Sequence, residues 1–248
     1  MMNFANIRIV LIDTSHPGNI GATARAMKTM CLDHLYLVNP QRYPCAEATA
    51  RASSANDLLA RARVCTSLDA ALQDCGLVIG ASARMRSLSW PQLDPRQAAE
   101  RLVEEGRQAP VAVIFGRENS GLTNEELERC HYLMHIPGNP EYNSLNLAAA
   151  VQVVAYEIMM AALLHDDAPK SSAEEPPDYA SATETEAFYA HMEQVLIEIG
   201  FLDPAKPRFL MRRLRRLFIR ARLDKNEVNI LRGILTAVRQ SRAPAGSS

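Results

Sequence analysis

The chain has 248 residues and a formal charge of −1, enough length for one domain of about 160 residues and a smaller companion. Its near-neutral balance does not by itself point to nucleic acid, but the charges are uneven. Residues 166–186 carry seven acids against one Lys, and 201–242 carry twelve Lys and Arg against three acids. The five cysteines, Cys31, Cys45, Cys65, Cys75 and Cys130, stand singly with no CxxC pair and no signal peptide ahead of them. Reduced thiols in a cytoplasm are expected, not a disulfide framework.

In chain order, apolar runs predict strands at Ile7–Ile12, His34–Val38, Leu77–Gly80, Val111–Phe115 and Tyr132–Ile136. Helical patterns fall between them, near Ile20–Met30, Ala46–Ala60, Ser67–Asp74, Pro95–Glu105 and Thr123–Arg129. Such alternation predicts an α/β fold on a mainly parallel sheet, which binds ligands at the carboxyl ends of its strands. No GxGxxG follows the first strand and no GxxxxGK[ST] occurs, so a dinucleotide fold or a P-loop is disfavoured. Leu147–Leu164 is very apolar, but Gln152, Glu157 and its modest length favour a buried or dimer-interface helix over a membrane span. Cys130, His131 and His135 resemble a ligand set but read as residues entering a strand, so no metal is expected.

Two linked patterns concentrate the chemistry. In VAVIFGRENSGLTNEEL, 111–127, a strand runs into Gly116, then Glu118, Asn119 and Ser120 crowd past its end. Gly121 follows, and Thr123 with Glu126 has the spacing of a capping box. In the segment 136–157, Ile136-Pro137-Gly138 closes another apolar run, and Ser144, Leu145 and Asn146 open a long helix whose first-turn amides are expected to be free for a ligand. Both loops are expected around one pocket.

Together with PGNIGATARAM at 17–27, these patterns resemble the three signature motifs of the SPOUT family of S-adenosylmethionine-dependent RNA methyltransferases, in its TrmH-like 2'-O-methyltransferase branch. Motif order, spacing, and Asn19, Gly21, Arg25, Gly116, Glu118, Gly121, Ser144 and Asn146 all fit. The resemblance spans roughly residues 6–165, and segments such as NPEYNSLNLA and RRLFIRARLDKNEVNILRGIL are similar to the members that methylate nucleotide 32, cytidine or uridine, in the tRNA anticodon loop. It implies a trefoil knot in the carboxyl-terminal part of the sheet, an S-adenosylmethionine cofactor and a homodimer. Its partner would be tRNA, with neither DNA nor a membrane. Ribosomal RNA, or a non-catalytic RNA-binding role on the same fold, are the alternatives.

Carried over by position, the resemblance implies a cofactor pocket of Ala81, Ser82 and Ala83, Gly116, and Ile136 with Asn143, Ser144, Leu145 and Asn146. A flat adenine needs an apolar slot with backbone donors and acceptors, and small side chains let the main chain approach. Arg25 matches the arginine linked in this family to activation of the ribose hydroxyl. A guanidinium is a poor general base, so the expectation is that Arg25 clamps the adjacent phosphate and hydrogen-bonds the developing alkoxide, with Asn19 and Glu118 orienting it and the loop. His16, Arg84, Arg86 and Arg117, beside the pocket loops, are candidate RNA contacts.

Asp166–Ala182, rich in Pro, Ser and acids, reads as a flexible linker. Beyond it, residues 183–242 predict a small basic all-α domain, and 243–248 a disordered tail. Thr183 and Glu186 are expected to form a capping box at the first helix. The second, from Pro207 to about Leu223, is expected to place Leu210, Leu214, Leu217 and Ala221 on one face and Arg208, Arg212, Arg216 and Arg220 on another as a phosphate-binding ridge. Val228, Leu231, Leu235 and Val238 mark the third.

Overall fold

The computed structural model describes residues 4–82, 90–142, 144–167, 178–206 and 209–241. The chain divides into two compact units, Met1–Ser172 and Ala173–Ser248. In the first, seven strands form one parallel sheet: β1 (Ile7–Ile12), β2 (His34–Val38), β3 (Arg63–Cys65), β4 (Leu77–Ala81), β5 (Gln92–Leu93), β6 (Val111–Phe115) and β7 (Tyr132–Met134). Their spatial order is β3-β2-β1-β6-β4-β7-β5. The five expected strands are all present. The two additions, RVC and QL, pair at the outer edges and are too short to carry any periodicity.

Strand β6 lies between β1 and β4, with Val113 in register with both Ile9 and Ile79. All five of its residues are buried. This is why it reads as a continuous apolar run without polar alternation: helices cover both faces of a parallel sheet. Helices α1 (Pro17–Thr29), α2 (Ala46–Ala52), α3 (Asn56–Arg61), α4 (Leu68–Ala71), α5 (Pro95–Glu105), α6 (Asn124–Leu127) and α7 (Leu147–Asp167) fill the connections. The helix expected over Ala46–Ala60 is broken, because Ser53 takes φ 53° and starts a short 3-10 turn. Helix α1 lies close on α2, and a Cβ at Gly21 would stand 2.1 Å from the Ala48 carbonyl oxygen. Helix α7 is long and apolar enough to cross a membrane by length and composition alone. Yet Val151, Val154, Ala155 and Ile158 belong to the main core, while Tyr156, Leu163 and Leu164 are exposed. The path between β4 and β5, on which the expected knot depends, includes residues 83–89, outside the described residues.

The second unit holds α8 (Ala182–Glu198), α9 (Leu210–Ala221) and α10 (Lys225–Ser241) around Phe188, Tyr189, Met192 and Val228. Three expectations change here. The capping box uses Ser181 and Glu184, two residues before the expected pair, which leaves Glu186 to bind Arg215 at 2.6 Å. The end of the expected linker is tied into this unit rather than flexible: Ala180 is buried, its amide donates to the Leu223 carbonyl, and Asp178 pairs with Lys225. Finally, α9 packs through Met211, Leu214 and Phe218, with Leu217 about half exposed. Phe218 meets Phe188 edge-on with ring centroids 5.0 Å apart, and an aromatic pair of this geometry favours the rotation that puts Phe218 in the core.

Candidate active site

Register places three strand ends side by side. Ala81 of β4 aligns with Phe115 of β6 on one side and Met134 of β7 on the other. Above this apolar floor opens a cavity of about 390 Å³. One wall is the 116–121 loop, another is Ser144–Leu147 with Ala150, and His16 with Asn19 close a third. Ser82 and Ile136 complete it, with the Ser82 amide donating to the Met134 carbonyl and the His135 ring Nδ1 3.2 Å from the Ser82 carbonyl oxygen.

The 116–121 loop is built to stay in place. Arg117 and Gly121 exchange backbone hydrogen bonds, and Gly121 takes φ 69°, which suits glycine. A Cβ on Gly116 would lie 2.2 Å from the Gly121 carbonyl carbon and 2.4 Å from the Leu122 nitrogen. Gly116 is therefore required first by the loop's own backbone, before any ligand enters. The Arg117 guanidinium turns onto both carboxylate oxygens of Glu126, each at 3.0 Å, and onto Asp13. Glu126 also closes the Thr123 capping box of α6. The loop's cation is thus taken up by two carboxylates on the scaffold.

Glu118 reaches the start of α1 and accepts from the Ser15 amide and hydroxyl, the His16 amide and the Asn19 side-chain amide. Burial pushes its carboxyl up, but these hydrogen bonds and that of its own amide outweigh burial and hold it down at about 2. Such a group stays ionised and serves as a fixed anion at a helix N-terminus rather than a general base. Asn19 Oδ1 in turn accepts from the Asn146 side-chain amide at 2.9 Å. Asn146 Oδ1 then accepts from the amides of Ala148 and Ala149. Two first-turn amides of α7, expected to be free, are occupied by this cap.

Of the sequence-derived site residues, Ala81, Ser82, Gly116 and Ile136 line one cavity with Ser144, Leu145 and Asn146, and His16, Asn19, Arg117 and Glu118 join them. Arg25 does not. It lies exposed on α1, outside the cavity lining and without a side-chain partner among the described residues. Asn19 and Glu118 bond each other and tie the 116–121 loop to the start of α1; neither bonds the Arg25 side chain among the described residues. On α9, Arg212 lies 5.6 Å from the Phe209 ring centroid and Arg220 is exposed; Arg216 is half-buried. Ala83, Arg84, Arg86, Asn143 and Arg208 lie outside the described residues. Sequence reasoning assigned no site role to Phe115, Met134, Leu147 or Ala150, nor to Asn119, Ser120 and Gly121 of the loop. The rule that ligands sit at strand ends contained the signal for the first two. Among the described residues no group of three His, Cys, Asp or Glu side chains is placed to hold a metal. His131 instead accepts the Val78 amide through Nδ1. The arrangement suits a ligand with a flat apolar part against the strand ends and polar groups toward the loops.

The model of the SpoU rRNA methylase family matches residues 6–156, and that of the tRNA methyltransferase TrmJ C-terminal domain matches 183–247. The chain is 55% identical to a tRNA (cytidine/uridine-2'-O-)-methyltransferase TrmJ of Photorhabdus laumondii, over 94% of this chain and 96% of the relative. The crystal structure of TrmJ from Z. mobilis ZM4 superposes with a TM-score of 0.82 at 32% identity, covering 94% of this chain and 98% of that one. A probable methylase family protein from Haemophilus influenzae Rd KW20 does so at 0.65 with 45% identity, covering 96% and 98%.

Proposed function

The chain belongs to the SpoU methylase family, and from that premise we propose that it transfers a methyl group from S-adenosylmethionine to the ribose 2'-hydroxyl of nucleotide 32, cytidine or uridine, in the tRNA anticodon loop. The observation that carries the reading is the convergence of three separated motifs on one cavity, joined through Glu118, Asn19 and Asn146. The match of 183–247 to a tRNA methyltransferase domain favours tRNA over ribosomal RNA.

The sulfonium of the bound donor supplies the reactivity, so the protein's work is positioning and charge. Ala81, Phe115 and Met134 offer the adenine an apolar floor, and the Ser144–Leu147 turn brings backbone groups to it. Methyl transfer leaves a proton to be lost from the 2'-oxygen. Glu118, held at about 2, is too weak a base to take it, so the adjacent phosphate or water accepts it while Arg25 stabilises the developing alkoxide. Arg25 stands outside its own cavity, so this role requires a homodimer in which it serves the partner's site. The apolar exposure of Tyr156, Leu163 and Leu164 on α7 supports such pairing. The ridge of Arg212, Arg216 and Arg220 holds tRNA phosphates, and the setting is the cytoplasm.

The test is methylation of a tRNA transcript panel with labelled donor and mapping of the product. Label at the 2'-oxygen of nucleotide 32 supports the proposal, and label elsewhere in the tRNA, or none, overturns it.

A further inference from the structure

Tyr142 is the most exposed large apolar side chain among the described residues, at 80%, yet its backbone is fixed. Its amide donates to the Asn139 carbonyl at 3.0 Å, and the Glu141 amide donates to Asn139 Oδ1, also at 3.0 Å. Pro140 restricts the same turn. Both ends of this loop are fastened to the cavity: Met134 and Ile136 line it before the turn, and Ser144 to Leu147 line it after. The Tyr142 hydroxyl has no hydrogen-bond partner among the described residues. An ordered turn thus presents an aromatic ring to solvent from a loop whose two ends line the cavity, where the fold draws no packing from it.

A ribose buried in a stacked loop cannot bring its 2'-oxygen to a methyl group at the strand ends. The target nucleotide has to be drawn out of the stack, and its base then loses its neighbours' faces. Proteins that read unstacked RNA replace those faces with aromatic side chains. Resting on the methyltransferase reading above, we infer that Tyr142 is the stacking platform for the base of the target nucleotide. This also fits relatives named for both cytidine and uridine. Those bases differ at the 4-position, amino in one and carbonyl in the other, and a site hydrogen-bonded to one leaves its own groups unpaired against the other. A ring face is indifferent to the difference.

Steady-state kinetics on full-length tRNA tests this with Tyr142→Ala, Tyr142→Phe and Tyr142→Trp, after wild-type turnover has tested the methyltransferase reading by itself. Tyr142→Ala is expected to raise KM for tRNA roughly tenfold or more, with the dissociation constant for S-adenosylmethionine and the melting midpoint unchanged. Phe and Trp should restore it. A tRNA carrying an abasic ribose at the target position should cost the wild-type protein a similar factor and cost Tyr142→Ala nothing more. With active wild-type protein, an unchanged KM in Tyr142→Ala, an equal further loss on the abasic tRNA, or failure of Phe to restore would overturn the assignment. Loss of donor affinity in Tyr142→Ala would do so too, by moving the ring onto the cofactor.

Discussion

Asn19 and Asn146, 127 positions apart in the chain, meet side chain to side chain at 2.9 Å. Each has a second partner, Glu118 for Asn19 and the α7 amides for Asn146. The contact therefore joins the start of α1 to the start of α7 across the mouth of the cavity. Asn146→Ala removes both the bridge and the helix cap, and should destabilise the first unit by ~1–2 kcal/mol while weakening donor binding. Asn146→Asp keeps the cap acceptor but sets a second carboxylate against Asn19 and near Glu118, and should lose the bridge without the cap. Equal melting midpoints for Ala and Asp variants would show that the cap does not contribute.

Glu118 gives the acid limb of stability a specific sign. Its folded value of about 2 lies below the ordinary 4.5, so its contribution is present above 4.5 and is lost as pH falls toward 2. Glu118→Gln should lower stability near neutrality and flatten its dependence between those limits, read by urea unfolding across pH. An unchanged slope would mean that the hydrogen bonds to Ser15, His16 and Asn19 do not act in solution.

The two loop glycines should respond differently. Gly116→Ala drives a Cβ into the Gly121–Leu122 backbone and should cost ~3 kcal/mol or more together with donor binding, since nothing there yields without moving the loop. At Gly121 no atom lies within 4 Å of a Cβ. Gly121→Ala should cost only the left-handed backbone, ~1 kcal/mol. Calorimetric melting and donor titration distinguish them, and equal penalties would refute the close-approach argument.

Arg25→Ala should abolish methyl transfer while leaving donor affinity near wild type. If each site uses its partner's Arg25, mixed dimers of Arg25→Ala with Gly116→Ala should recover part of the activity, because one of the two sites keeps both an intact loop and an arginine. Mixing that restores nothing would place Arg25 in its own subunit's site or outside the chemistry.

Replacing Arg212 and Arg216 by Ala should raise the tRNA dissociation constant and flatten its dependence on salt, as fewer counterions are released. Donor affinity should hold. Filter binding with an unchanged slope would remove these arginines from the RNA surface.

The strands, the order of motifs and most cavity residues were legible because each rests on a local pattern. Val111–Phe115 is an uninterrupted apolar run because both faces are covered, and the polar cluster after Gly116 marks a strand end. Short edge strands carry no such pattern, so Arg63–Cys65 and Gln92–Leu93 exist through their neighbours alone. The role of Gly116 was likewise beyond composition: sequence shows a small residue, and only the distance to Gly121 shows what it makes room for. Asn19, Glu118 and Asn146 read as separate polar residues, because nothing local says that two will bond each other. That Arg117 spends its charge on Asp13 and Glu126, and that Arg25 lies outside its own cavity, follow from where parallel strands and their helices bring distant segments together. Tertiary structure decides these because an ion pair or a hydrogen bond depends on distance in space, which spacing along the chain does not contain.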